Sequence, residues 1–412
     1  MLNFCRKKIK QKDLNKINSL NEEIESQIEN IRNNIAKETS YRSKPIELNN
    51  YKLPIRIHTD VDYQKELIKK LDSYLIDIKG RLLVNDEVFN KTQENCNKIK
   101  QAIELYYDAN ISGSKECILK ILKSYKNDDY IVSNLDNSSA FRGLTQIFPN
   151  PYTDHLAQGE LSFFKARIGT DNYNKYDFLH IPFNKRGIIT TQRFSIAGVP
   201  CMYFGLSSYV CWLELGKPQD REFNVASYKI PSNIKVLNLA ISQMLINGLS
   251  NIDSLNNKVS SLIEFFPLII ATSFKVMENN RGFRSEYIIS QLIMQCFSEL
   301  EIDSVAYISK QVESDYNTFP FCINLAIPMK NNQGNNYSEF AENVNLTKPI
   351  NFAEYKNFVR QPSPKYNIAS YANLWDDQNL YYINGNIKYN QLLFSKFDDF
   401  LFNETHKSIK NK

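Results

Sequence analysis

The chain has 412 residues, 42% of them hydrophobic and 12% aromatic, which supports a large core and excludes a disordered chain. Its 50 Lys and Arg against 45 Asp and Glu leave a net charge of only +5, without the basic excess of a general nucleic-acid binder. Seven scattered cysteines, odd in number and with no Cys-x-x-Cys pair, speak against a disulfide or zinc framework and for reduced thiols in a cytoplasmic protein.

The amino-terminal run "MLNFCRKKIKQKDLNK" is charged and lacks the apolar segment of a signal peptide. Leu14, Ile17, Leu20, Ile24, Ile28, Ile31 and Ile35 then recur at spacings of three and four. They predict an amphipathic helix whose stripe is either intramolecular core or a self-association seam. Leu67, Leu71, Tyr74, Leu75 and Ile78 predict a second helix. A third runs through Tyr106 with Asp86 as its cap, and a fourth through Tyr125 with Ser114 as its cap. The polar run 126–140 reads as a boundary, so residues 1–130 form an expected helical domain, a scaffold or partner-sensing module.

Strands are predicted after it, at "LSFFKARI" (161–168), "PCMYFGL" (200–206), "FNVASYKI" (223–230), "NIKVLNLA" (233–240), "DSVAYIS" (303–309) and "FCINLAI" (321–327). Between them lie the run "FFPLIIATSF" (265–274), too short to span a bilayer, and a helix in "EYIISQLIMQCFSEL" with Ser285 as its cap. This alternation predicts an α/β or α+β domain over 131–345, closed by the Asn-rich loop 330–340. Residues 346–412, aromatic and polar without a clear period, read as an extension packed on the core.

Within "TQRFSIAGVPCMYFGLSSYVCWLEL" (191–215), Arg193 and Glu214 are the charged residues in a stretch that otherwise reads as core. Such groups are seldom buried unless they pair or face a ligand, so they form either an internal ion pair or the polar edge of a cleft. "SSYVCWLELGKP" predicts a two-turn helix with Ser207 or Ser208 as cap and Gly216 past its end. Glu214 falls in the last turn, where the macrodipole disfavours a carboxylate and no local reason stabilises it. Lys165 and Arg167, two apart on a strand, share one face and suggest an anion there.

The run "LHIPFNKRGIITTQRFSIAGVPCMYFGLSSYVCWLEL", with "FFKARIG" before it and "VAYIS" after it, resembles the RES family. That family is named for an arginine, a glutamate and a serine and occurs in bacterial toxin–antitoxin pairs. The resemblance covers about 140–330, half the chain. It implies an α+β fold with a mixed sheet similar to ADP-ribosyltransferases, and cleavage of the nicotinamide–ribose bond of NAD as substrate rather than cofactor. By position, Arg193, Glu214 and Ser309 match the family's three residues, and Tyr203 matches the tyrosine between the first two. The implied roles are Arg193 as phosphate clamp, Tyr203 as stacking face for the nicotinamide, Glu214 as stabiliser of the ribosyl cation and Ser309 as an orienting hydroxyl. Where the family commonly has "YRAR", this chain has "FKAR", so Lys165 replaces one arginine and Arg167 keeps the other. Arg142 in "AFRGL" is the candidate for the missing guanidinium.

Taken alone, Tyr203 would be core packing, Ser309 a strand-end hydroxyl, and His180 a hydrogen-bonded structural histidine. The helical first third resembles the HEPN-type domains sometimes fused to RES domains. Their ribonuclease arginine–histidine motif is missing, since Arg56 stands only two residues before His58. The expected function is a NAD-degrading toxin or defence effector acting by hydrolysis or phosphorolysis. The alternatives are an ADP-ribosyltransferase acting on protein or nucleic acid and a non-catalytic interaction protein. Expected partners are NAD, an antitoxin or activator protein, and a second copy through the amino-terminal helices. No metal-ligand constellation is present, and neither membrane nor nucleic acid is an expected partner.

Overall fold

The computed structural model describes residues 24–32, 44–142, 160–249, 259–278, 281–313, 315, 321–331, 334–358, 379–382 and 385–410. Of the predicted 14–35 helix, residues 24–32 lie within this range and are helical (α1), and the rest lies outside. Ile24, Ile28 and Ile31 are exposed there and take no part in the core.

The helical part comprises α2 (Tyr63–Ile78), α3 (Asp86–Tyr107) and α4 (Ile111–Ser124). Asparagines, rather than the predicted Asp86 and Ser114, cap the last two. Asn85 accepts from the Val88 amide and Asn110 from the Gly113 amide, both at 2.9 Å. Ser114 lies inside α4 and donates to the Ala102 carbonyl at 2.6 Å, tying the α3–α4 hairpin together.

These helices close on α8 (Ser260–Thr272), buried nearly all round. Pro267 inside α8 has no N–H to give the Ile263 carbonyl one turn back; the Tyr74 hydroxyl donates to it instead at 2.8 Å. Asn95 likewise donates to the Glu264 carbonyl at 3.0 Å. Residues of 1–130 thus supply hydrogen bonds that a helix of the later region needs, and one apolar cluster runs from Ile46 to Leu401. A short parallel ladder between β1 (Ile55–Ile57) and β7 (Phe274–Val276) joins them again.

The mixed sheet has nine strands. Its order is β10 (Asn345–Leu346), β5 (Phe223–Lys229), β3 (Phe163–Ile168), β4 (Cys201–Gly205), β9 (Ile323–Pro328), β8 (Ser304–Ile308), β6 (Lys235–Leu239) and β2 (Val132–Asn134), with β11 (Ile350–Asn351) also on β5. Only β6 and β8 run parallel; the other pairs are antiparallel. The fold is α+β. All six predicted strands are present, because each joins a β-rich run to turn residues at its ends. The polar run 126–140 is not a plain boundary. It buries Tyr130, Ile131, Val132 and Leu135 and supplies edge strand β2, which its Asp- and Asn-rich spelling conceals. Strands β10 and β11 carry the sheet past residue 345.

The segment Ser285–Tyr287 is a 3-10 turn that leads into α9 (Ile288–Gln295), and Ser285 is not its cap. Its hydroxyl donates to Asp60 instead at 2.5 Å. The last helix, α13 (Leu393–Asn403), sets Phe394, Phe397 and Leu401 against Phe352, Tyr355 and Tyr209. No helix of the described residues is long and apolar enough to cross a membrane.

Candidate functional site

β4 ends at Gly205, and the chain turns at once into α6 (Ser208–Glu214), which folds back on the strand. A Cβ at Gly205 would come within 2.4 Å of Val210 Cγ1 and 2.8 Å of Cys211 Sγ, so only glycine allows this approach. Ser207 is the cap, accepting from the Val210 amide at 3.1 Å. The amide of Ser208 donates to Asp398 Oδ1 at 2.9 Å, and Tyr389 donates to the other oxygen of that carboxylate. Asp398 is 1% exposed, and burial pushes its pKa up to about 7. Gly216 and Lys217, both at positive φ, end the helix after Glu214.

Glu214 is thereby delivered to the mouth of a cavity of ≈ 470 Å³, within the size range of small-molecule sites. Its Oε1 accepts from Ser309 Oγ and from Asn324 Nδ2, each at 2.6 Å. Ser309 ends β8 and is 1% exposed; Asn324 is on β9. Two strands therefore orient one carboxylate oxygen, and Oε2 takes no hydrogen bond from the described residues.

Arg193 lines the same cavity but does not form an ion pair with Glu214. It is 7% exposed and lies against the touching rings of Phe194 and Tyr307, 4.9 and 5.0 Å from their centroids. Nη1 donates to the Ile308 carbonyl at 2.8 Å, whereas Nε and Nη2 have no partner among the described residues. Burial lowers its pKa to about 10, so the guanidinium stays charged at neutral pH. The internal ion pair is excluded, and the second reading of these two residues, the polar edge of a cleft, describes the molecule.

The Tyr203 ring lines the cavity, and its hydroxyl donates to the Phe194 carbonyl at 2.8 Å, bracing the loop that carries Arg193. Burial holds that phenol well above its ordinary pKa and so keeps it a donor. Lys165 also lines the cavity and donates to the Leu179 carbonyl at 2.7 Å; burial and then Arg167 push it down to about 7.

Arg167 is separate from this group. It is exposed, donates to the Asp177 carbonyl at 2.6 Å, lies 5.2 Å from the Tyr173 ring centroid, and lines an adjoining cavity of ≈ 480 Å³. That cavity shares Lys165, Gln192 and Tyr203 with the first. His180 is structural: it accepts from the Ser338 amide at Nε2, which leaves Nδ1–H for the Ile181 carbonyl. Arg142 lines neither cavity. It donates to the Asp136 carbonyl at 3.0 Å and is paired with the Asp136 carboxylate, beside the sheet edge, so it does not replace the guanidinium lost at Lys165.

Sequence reading missed Asn324, Tyr307, Lys310 and Asp398. Asn324 had a signal, as the polar residue inside the apolar strand "FCINLAI". Lys310 simply follows Ser309. Asp398 had none, because its partner amide lies 190 positions away. Among the described residues no cluster of three His, Cys, Asp or Glu could hold a metal.

No family model and no solved structure matches this chain. It is 30% identical over 213 residues to Putative toxin YopC of Bacillus subtilis (strain 168). The match covers 48% of this chain and 48% of that protein, so the chain spans about half the length of the curated relative it matches.

Proposed function

We propose that this chain is a RES-type enzyme that cleaves the nicotinamide–ribose bond of NAD and acts as a toxin or defence effector. One observation carries the reading: a carboxylate held by two donors shares a cavity with a buried guanidinium whose Nε and Nη2 are unpaired. The resemblance around Arg193, Tyr203, Glu214 and Ser309 supports it, as does the name of the relative.

The chemistry follows from the geometry. Breaking the N-glycosidic bond sends its electron pair to the nicotinamide nitrogen and leaves positive charge on the ribosyl carbon. The Glu214 carboxylate stabilises that charge or accepts from a ribose hydroxyl, and the bonds from Ser309 and Asn324 mean it need not reorganise to do so. The free edge of Arg193 matches two oxygens of a diphosphate, which a lysine would grip less specifically. Tyr203 and Tyr307 offer faces to a flat cationic ring. An antitoxin or activator is part of this proposal as the means of restraining or releasing the activity.

The test is nicotinamide release from NAD by the purified chain beside Glu214→Gln, with the adenine-containing product weighed. Release that the variant loses is the expected result. ADP-ribose names water as acceptor, its 1-phosphate names phosphate, and an adduct of protein or nucleic acid names a transferase. Equal release by both proteins, or none by either with a candidate activator present, would overturn the reading.

A further inference from the structure

A third cavity, of ≈ 430 Å³, opens beside the Glu214 cleft and shares Arg284, Tyr287, Lys310 and Gln311 with it. Lys310 stands at this junction. It is 9% exposed, its Nζ makes no hydrogen bond among the described residues, and it lies 4.9 Å from the Tyr287 ring centroid. An ammonium out of water without an acceptor is strongly unfavourable unless an anion meets it.

The nearby carboxylates are engaged elsewhere. Glu286 gives both oxygens to Arg281, at 2.8 and 2.9 Å, and Asp60 binds the same guanidinium. Glu278 accepts from the Asp60 amide at 3.1 Å, and Glu214 Oε1 is taken by Ser309 and Asn324. The cations are not so matched: Arg284 donates to the Tyr287 hydroxyl at 2.8 Å and Lys275 to Gln311 Oε1 at 3.0 Å, neither of them an anion.

We propose that Lys310, with Arg193 and Arg284, seats a phosphoryl anion at the junction of the two cavities. Three segments contribute one cation each: the loop before β4, the end of β8, and the turn before α9. Burial, and then the charge of Arg193, push the Lys310 ammonium well below the usual lysine range, a shift that an anion touching both would reverse. The seat deepens the NAD reading, on which only the physiological ligand rests. The anion is either the diphosphate of the dinucleotide or free phosphate used as acceptor.

The experiment is calorimetric titration of the full chain with inorganic pyrophosphate and with inorganic phosphate, for the wild type, Lys310→Met and Lys310→Arg. Lys310→Met is expected to weaken binding of the tighter probe by about ten-fold or more, and Lys310→Arg by less than about three-fold. A melting temperature of Lys310→Met at or above that of the wild type without anion certifies its fold, since the change removes an unpaired buried charge. Phosphate displaced by ADP-ribose identifies the substrate's own diphosphate; phosphate that binds alongside saturating ADP-ribose identifies a separate acceptor. Equal binding by the wild type and folded Lys310→Met, or no binding of either probe by the wild type, would overturn the seat. Pyrophosphate binding that depends on Lys310 without NAD turnover would overturn the NAD reading and keep the seat; turnover with unaltered anion binding in Lys310→Met would do the reverse.

Discussion

Two groups of residues at the Glu214 cleft are built on opposite terms. In one, Ser309 and Asn324 both donate to Glu214 Oε1, and the strands beneath them fix the geometry. In the other, Arg193 Nε and Nη2 and Lys310 Nζ are buried and find no acceptor among the described residues. A fold that needed only stability would not keep two unpaired cations beside aromatic rings, because each costs free energy that an apolar side chain would not. Under the proposed function, the first group is shaped in advance for a positive charge that develops during reaction, and the second for an anion that arrives with the ligand.

Four substitutions separate these terms, ordered by expected effect on the proposed turnover of NAD. Glu214→Gln keeps an acceptor for Ser309 and Asn324 but removes the charge. It should lower kcat by about two to three orders of magnitude and shift KM by less than about three-fold, measured by nicotinamide release. Arg193→Lys keeps charge but loses the forked donor. A fall in kcat/KM of roughly ten- to hundred-fold, carried mainly by KM, is expected from steady-state kinetics. An effect confined to kcat would contradict the clamp role.

Ser309→Ala removes one of the two donors to Glu214, with Asn324 left to hold it. It should reduce kcat by about ten-fold, or ~1.4 kcal/mol, with the melting temperature little changed. Asp398→Asn should leave kcat at pH 5 within about two-fold and act on stability instead. Burial raises the folded pKa of Asp398 from 3.8 to about 7, so the folded state binds the extra proton between those values. The contribution is full below about pH 4 and is lost as pH rises to about 7. Denaturant titrations should therefore show the wild type losing more stability than Asp398→Asn between pH 5 and 8. Parallel pH profiles would refute this.

Much of the architecture was legible in the sequence because its signals are local. Val, Ile, Phe and Tyr at short range marked six strands, and the Ser207 and Gly216 ends of α6 were readable from capping and left-handed backbone preferences. Caps misread by a residue or more, at Asn85 and Asn110, show several cap-competent residues competing where local sequence does not choose. In the site, Arg193, Glu214, Tyr203, Lys165 and Ser309 come together at the cleft or its edge, whereas Arg167 and Arg142 do not. Strand alternation placed Lys165 and Arg167 on one face, but it does not say that the cavity divides between them. Asn324 and Lys310 matter through partners more than a hundred positions away, or through having none, and periodicity carries neither fact.

Asp398 has a consequence in time as well as in space. Ribosomes make Glu214 long before Asp398, so a nascent chain carries the glutamate while the Ser208 amide still lacks its acceptor and Tyr209 its aromatic neighbour Phe394. β3 and the Phe321 carbonyl already hold the helix that presents the glutamate, and its packing is completed once the last helix has emerged. Under the proposed function, a chain truncated before residue 393 should release less nicotinamide from NAD than the full chain.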